Sequence, residues 1–165
     1  MKFVADGMLG KLTRWLRMLG QDVEYFKQLE DSELLDLARN EHRILLTRDM
    51  ELYQRAAVKG IQAYYLEGKT EPEKLAELAI RFEIPLEIDM EKSRCPICNS
   101  KIGSILKEQV KSELEPNTFA NYDSFWRCPK CGKMYWQGAH WGRIRDTLEK
   151  AEEILRKNKS AYFSM

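Results

Sequence analysis

Four cysteines and their spacing constrain this chain more than any other feature of it. They stand as Cys95-x-x-Cys98 and Cys128-x-x-Cys131, with residues 99 to 127 between the pairs, and no other cysteine occurs. A Cys-x-x-Cys pair can bend round one metal and present two thiolates, so two pairs supply the four ligands of a tetrahedral zinc site. The neighbouring residues agree. Pro96 and Pro129 lie inside the pairs, and Asn99 and Gly132 follow them, where a turn with positive φ is expected. Two disulfides or a redox pair are the alternatives, and both fit poorly with a chain that opens Met1-Lys2-Phe3-Val4-Ala5-Asp6 and lacks the long apolar stretch of a secretory signal. The unit is read as a zinc ribbon. Its metal stabilises a segment too poor in apolar residues to fold alone, and four thiolates leave no open position for substrate.

The 165 residues leave room for one further domain of about 90 residues and exclude a long multidomain machine. No apolar run approaches the roughly 18 to 20 residues that span a bilayer, so a soluble, cytoplasmic protein with no membrane partner is expected. Before the cysteines, short apolar runs alternate with amphipathic stretches, the pattern of a parallel α/β sheet. Strands are expected at Phe3 to Ala5, Val23 to Phe26, Arg43 to Thr47 and Ile61 to Leu66, with a last one over Leu86, Ile88 and Met90. Helices are expected from Met8 to Leu19, from an Asp31 or Ser32 cap through Ala38, from Met50 to Lys59, and after the capping box Thr70-x-x-Glu73. A final amphipathic helix runs from Arg143 to Asn158 with Ile144, Leu148, Ala151 and Leu155 on one face. The expected organisation is an α/β domain over residues 1–90, a zinc ribbon over 91–142, and a C-terminal helix and tail over 143–165.

The formal net charge of +1, taken whole, argues against a nucleic-acid partner, but it is a cancellation. Residues 1–90 carry 13 basic and 17 acidic side chains, net −4, whereas residues 91–145 carry 10 and 5, net +5. A basic ribbon bearing Phe125, Trp126, Tyr135, Trp136 and Trp141 has cations for phosphates and flat rings for bases. The same rings can equally be the ribbon's small core.

The acidic half holds a more specific signal. Asp6 follows the first strand, Asp49 follows the most apolar one, and Asp31 opens the helix before it. In a doubly wound sheet the loops after the carboxyl ends of the strands converge on one crevice, so the three carboxylates can meet there. Carboxylates so gathered need a hard cation such as Mg²⁺ or Mn²⁺, a combination suited to phosphodiester hydrolysis. Arg14, Arg17 and Arg48 lie nearby in sequence as candidate phosphate ligands. Each residue also has a plainer reading: the aspartates as helix caps, the arginines as a solvated face.

Over roughly residues 2 to 145 the sequence also resembles the Mut-seven C-terminal RNase domain family. The resemblance rests on Phe3-Val4-Ala5-Asp6-Gly7-Met8-Leu9-Gly10-Lys11-Leu12-Thr13-Arg14-Trp15-Leu16-Arg17, Asp31-Ser32-Glu33-Leu34-Leu35, Arg43-Ile44-Leu45-Leu46-Thr47-Arg48-Asp49, both cysteine knuckles, and Tyr135-Trp136-Gln137-Gly138-Ala139-His140-Trp141. It implies a PIN-like α/β nuclease domain followed by a zinc ribbon. It further implies Asp6, Asp31 and Asp49 as the acidic positions of a Mg²⁺ or Mn²⁺ site, and RNA as substrate. The expectation is a metal-dependent ribonuclease whose ribbon, with Cys95, Cys98, Cys128 and Cys131 on zinc, assists RNA binding. The alternative is a non-catalytic RNA-binding module acting in ribosome or ribonucleoprotein assembly.

Overall fold

The computed structural model describes residues 1–164. Four strands, β1 (Lys2–Ala5), β2 (Asp22–Tyr25), β3 (Ile44–Thr47) and β4 (Ala63–Tyr65), form one parallel sheet in the order β2-β1-β3-β4. Successive side chains point to opposite faces, so β1, β3 and β4 each feed two cores. Phe3, Ala5, Val23 and Leu46 pack beneath α1 (Gly10–Met18), α4 (Glu71–Phe82) and α6 (Trp141–Phe163). Val4 and Leu45 pack against α2 (Asp31–Asn40) and α3 (Met50–Val58) on the other face. Both faces of β3 are thus covered, which is why Ile44-Leu45-Leu46 reads as an unbroken apolar run. Leu148 and Ala151 of α6 join the first core, so the C-terminal helix returns across the ribbon to lie along α4.

Three expectations need correction. Helix α2 starts one residue early: Glu33 Oε2 accepts the Glu30 N–H at 3.2 Å, and Asp31 is the first helical residue instead of the cap. Leu86, Ile88 and Met90 form no strand. Leu86 and Ile88 pack on the first core and Met90 on the ribbon, so their alternation is met by burial alone. The segment runs past the end of α1, where Ser93 Oγ donates to the Met18 carbonyl at 2.7 Å and the Arg94 N–H to Arg17 at 2.8 Å. Finally, α6 begins at Trp141, two residues before the expected start.

The ribbon is a three-stranded antiparallel sheet, β5 (Gly103–Ile105), β6 (Phe125–Arg127) and β7 (Met134–Tyr135), in the order β5-β6-β7. Between β5 and β6 lie a 3₁₀ segment, Lys107–Glu113, and the short α5 (Pro116–Asn121). The first knuckle docks on β2, the edge of the parallel sheet. Asn99, at φ 69°, turns its Oδ1 to accept the Val23 N–H at 3.1 Å and donates from Nδ2 to Asp22 at 2.8 Å.

Asp22 is the hub of this junction, receiving Arg43 Nη1 at 2.8 Å as well as Asn99. Burial alone would raise its pKa, but the hydrogen bonds from Arg43 and Asn99 and the charges of Arg43 and Arg94 outweigh it and hold the carboxyl below its ordinary value. A carboxyl depressed in the folded state contributes stability above its unfolded pKa of about 3.9, and that contribution is lost as pH falls through the lower folded value. Asp22→Asn should therefore flatten the fall in melting temperature as the pH drops below about 4. Thermal melts of both proteins across that window check it; parallel curves count against the junction's role.

Candidate functional site

The chain leaves β1 towards β2 on one side and returns to β3 on the other, so the carboxyl ends of β1 and β3 form the switch point where ligands of such sheets bind. Register pairs Ala5 with Leu46, which brings Asp6 beside Thr47. Thr47 Oγ1 donates to Asp6 Oδ2 at 3.0 Å and accepts the Asp49 N–H at 2.9 Å, linking the two aspartates through one buried hydroxyl. Thr47 was not singled out in the sequence. Its signal is a hydroxyl closing an otherwise apolar strand, and its role depends on the pairing with β1.

Both aspartates also cap. Asp6 Oδ1 accepts the Gly7 N–H at 2.7 Å, and Asp49 Oδ1 accepts those of Glu51 and Leu52 at 2.9 and 3.2 Å. Asp49 Oδ2 takes no protein hydrogen bond among the described residues, so it stays available to a ligand. Asp31 stands apart on α2, its Oδ2 accepting Arg55 Nη1 at 3.2 Å. Among the described residues, the four cysteines are the one group of three or more His, Cys, Asp or Glu whose ligand atoms lie within 4.8 Å of one another, so Asp6, Asp31 and Asp49 are not drawn that close.

The three arginines part company. Arg14 is exposed on α1, and Arg48 is half-buried, its Nε buried and without a partner among the described residues. Arg17 is 5% exposed and turned inward: Nε and Nη2 donate to the Val23 carbonyl at 2.9 and 2.7 Å, and Nη1 to those of Pro96 and Ile97 at 3.0 and 3.2 Å. Four of its five N–H groups are spent on strapping the knuckle to β2, so its guanidinium faces the junction. Met8, Phe26 and Met50, which follow Asp6-Gly7, β2 and Asp49, are large apolar side chains left exposed at the same edge.

Close backbone approach shapes this edge. A Cβ on Gly7 would lie 2.8 Å from the Lys27 carbonyl oxygen, and one on Gly10 would lie 2.8 Å from the Tyr25 hydroxyl, which itself donates to the Gly7 carbonyl at 2.8 Å. The glycines of Asp6-Gly7-Met8-Leu9-Gly10 thus let the turn after β1 pack against the chain leaving β2.

The four thiols gather as their spacing predicts. Cys95 and Cys131 sulfurs lie 3.7 Å apart and those of Cys98 and Cys128 3.3 Å apart, close to the edge of about 3.8 Å in a tetrahedron of Zn–S bonds. They can hold a metal such as zinc. Asn99 and Gly132 close the knuckles at φ 69° and 78°. The Tyr135 hydroxyl lies 3.0 Å from Cys95 Sγ, and burial together with the neighbouring thiols raises its pKa, so it keeps its proton and can donate to a thiolate.

A parallel α/β sheet with aspartates at its switch point, carrying a four-cysteine ribbon on its edge, is a PIN-like domain with a zinc ribbon. The Mut7-C RNAse domain family model matches residues 1–148, and the chain belongs to that family. No curated protein and no solved structure matches it.

Proposed function

We propose that the protein hydrolyses RNA at the carboxyl edge of the parallel sheet, with Asp6 and Asp49 holding Mg²⁺ or Mn²⁺ directly and Asp31, on α2, reaching the ion through bound water. The observation that carries this reading is the Asp6–Thr47–Asp49 link at the switch point. An all-protein cage is not required, since Mg²⁺ is commonly held by one or two carboxylates with waters and substrate phosphates completing the shell. The oxygen-only donor set fits such a hard ion, and Asp49 Oδ2 is open to it. A cation held there would supply Lewis-acid activation of water and neutralise charge growing on the phosphate. Thr47 fixes the Asp6 carboxylate by its hydroxyl, and the helix-capping bonds fix Asp49. Arg48, beside Asp49, and Arg14, on α1, are placed in this reading as the cations that orient the phosphate. The basic ribbon holds more of the strand.

Cleavage of a labelled single-stranded RNA should require added Mg²⁺ or Mn²⁺, and Asp6→Asn, which keeps an oxygen for the Gly7 N–H, should slow it by about a hundredfold or more. Full activity in Asp6→Asn overturns the assignment. A second reading, a non-catalytic RNA-binding module, is favoured by the Arg55 contact that occupies Asp31. It predicts RNA binding indifferent to Mn²⁺ and no cleavage by the unaltered protein.

A further inference from the structure

We propose that the seam between the ribbon and the start of α6 is a pocket for one unstacked nucleobase of a bound RNA strand, an inference that rests on the RNA reading above. A cavity of about 450 Å³ opens there, away from the aspartates. Its volume falls among those of ligand pockets, about 300 to 1,000 Å³. Met18 and Ile88 of the α/β domain are among its lining residues, as are the rings of Tyr122, Trp136 and Trp141, with Arg94 and the exposed His140 among its polar groups. An apolar cavity with flat rings and a few polar groups suits a heteroaromatic ring better than an aliphatic chain.

Trp136 is held in place for this role. Its ring rests on Phe125, centroids 6.0 Å apart, and it covers Gly138 so closely that a Cβ there would lie 2.8 Å from the indole Nε1. Yet 36% of Trp136 stays exposed, so the ribbon core uses only part of it. A fixed, half-free indole is a stacking platform that loses little freedom on binding.

Charge favours a nucleic acid as occupant. Residues 91–145 carry the chain's surplus of cations, and Arg143 and Arg145, exposed just beyond Trp141, make no ion pair among the described residues. A base in the cavity and its flanking phosphates on these arginines would combine the two contacts by which single strands are held.

Ala139 lines the cavity, is exposed, and lies in a turn, so Ala139→Phe adds a ring to the cavity and deletes no existing contact. The test measures binding of an oligoadenylate, and of an abasic ribose-phosphate strand of the same length, to the zinc-loaded full chain without added Mg²⁺ or Mn²⁺. The unaltered protein should bind the adenylate about tenfold more tightly than the abasic strand. Ala139→Phe should bring that ratio close to one while leaving abasic affinity and melting temperature unchanged; should phenylalanine lower the melt, Ala139→Leu takes its place. An undiminished ratio in the filled variant overturns the pocket and leaves the RNA reading standing. Failure of the unaltered protein to bind either strand overturns both.

Discussion

Withdrawing the metal from the cysteine site is expected to unfold the ribbon and to lower the melting temperature of the parallel-sheet domain with it. The ribbon's own apolar support is small: Cys95, Cys128 and Ile102 are buried at the metal site with Met90, Trp126 and Tyr135 packed round them, and Val110 and Phe125 are buried elsewhere in it. A structural zinc contributes about 10 kcal/mol or more of apparent binding energy, far above what so few side chains can replace. Once the knuckle loosens, the Pro96 and Ile97 carbonyls leave Arg17, and Asn99 leaves Val23 and Asp22. Circular dichroism and amide exchange on protein stripped by a strong chelator should show loss of β5 to β7 and faster exchange at Val23, both restored by zinc. Cys128→Ser should do the same without chelator. Zinc-free protein with unchanged exchange and melting would defeat the assignment. Acid should act in the same direction as the chelator. Burial and the Cys128 thiol push Cys98 up to about 12 despite the opposing Ser100 amide, so zinc entry must displace protons and apparent affinity falls with pH.

Arg17→Ala should cost as much stability as emptying a core position, at about 3 to 5 kcal/mol. Removing the guanidinium leaves the Val23, Pro96 and Ile97 carbonyls without a donor, and at least the first of these lies among buried atoms. Arg17→Lys should recover only part of the loss, since one ammonium cannot reproduce the planar fork that reaches two chain segments at once. Arg14→Ala is the control. Its exposed side chain makes no hydrogen bond among the described residues, so stability should change by about 0.5 kcal/mol or less. On the proposed function it should weaken RNA affinity instead. Urea midpoints measure the first pair and titration with RNA the second; equal midpoints for Arg17→Ala and the unaltered protein would refute the strap.

What could be read from the sequence follows the range of the interactions involved. The knuckles were legible because two thiolates three residues apart, followed by Asn99 or Gly132, are a local arrangement. The strand at Ile44-Leu45-Leu46 and the capping box at Thr70 and Glu73 were legible for the same reason. Arg17 was not, because nothing within a turn of it marks it as buried. It shares a helix with Lys11 and Arg14, and its partners Pro96 and Ile97 come 79 and 80 residues later. Leu86, Ile88 and Met90 alternate as a strand would, but periodicity reports burial and carries no information on whether a sheet edge is free to pair. The acidic site lies between these extremes. Asp6 and Asp49 could be placed at strand ends from local pattern, whereas Thr47 between them, and Arg55 on Asp31, depend on register and on the packing of α2 against α3.

The knuckle on β2 also guards against misassembly. The outer N–H and carbonyl of an edge strand are a template on which a second chain can add its own strand, and Val23 would present both. Asn99 takes the one and Arg17 the other, so at Val23 the edge offers no such template. Loss of metal would reopen it. A protein starved of zinc should therefore fail first by chain-to-chain strand addition at β2, before its apolar cores are breached.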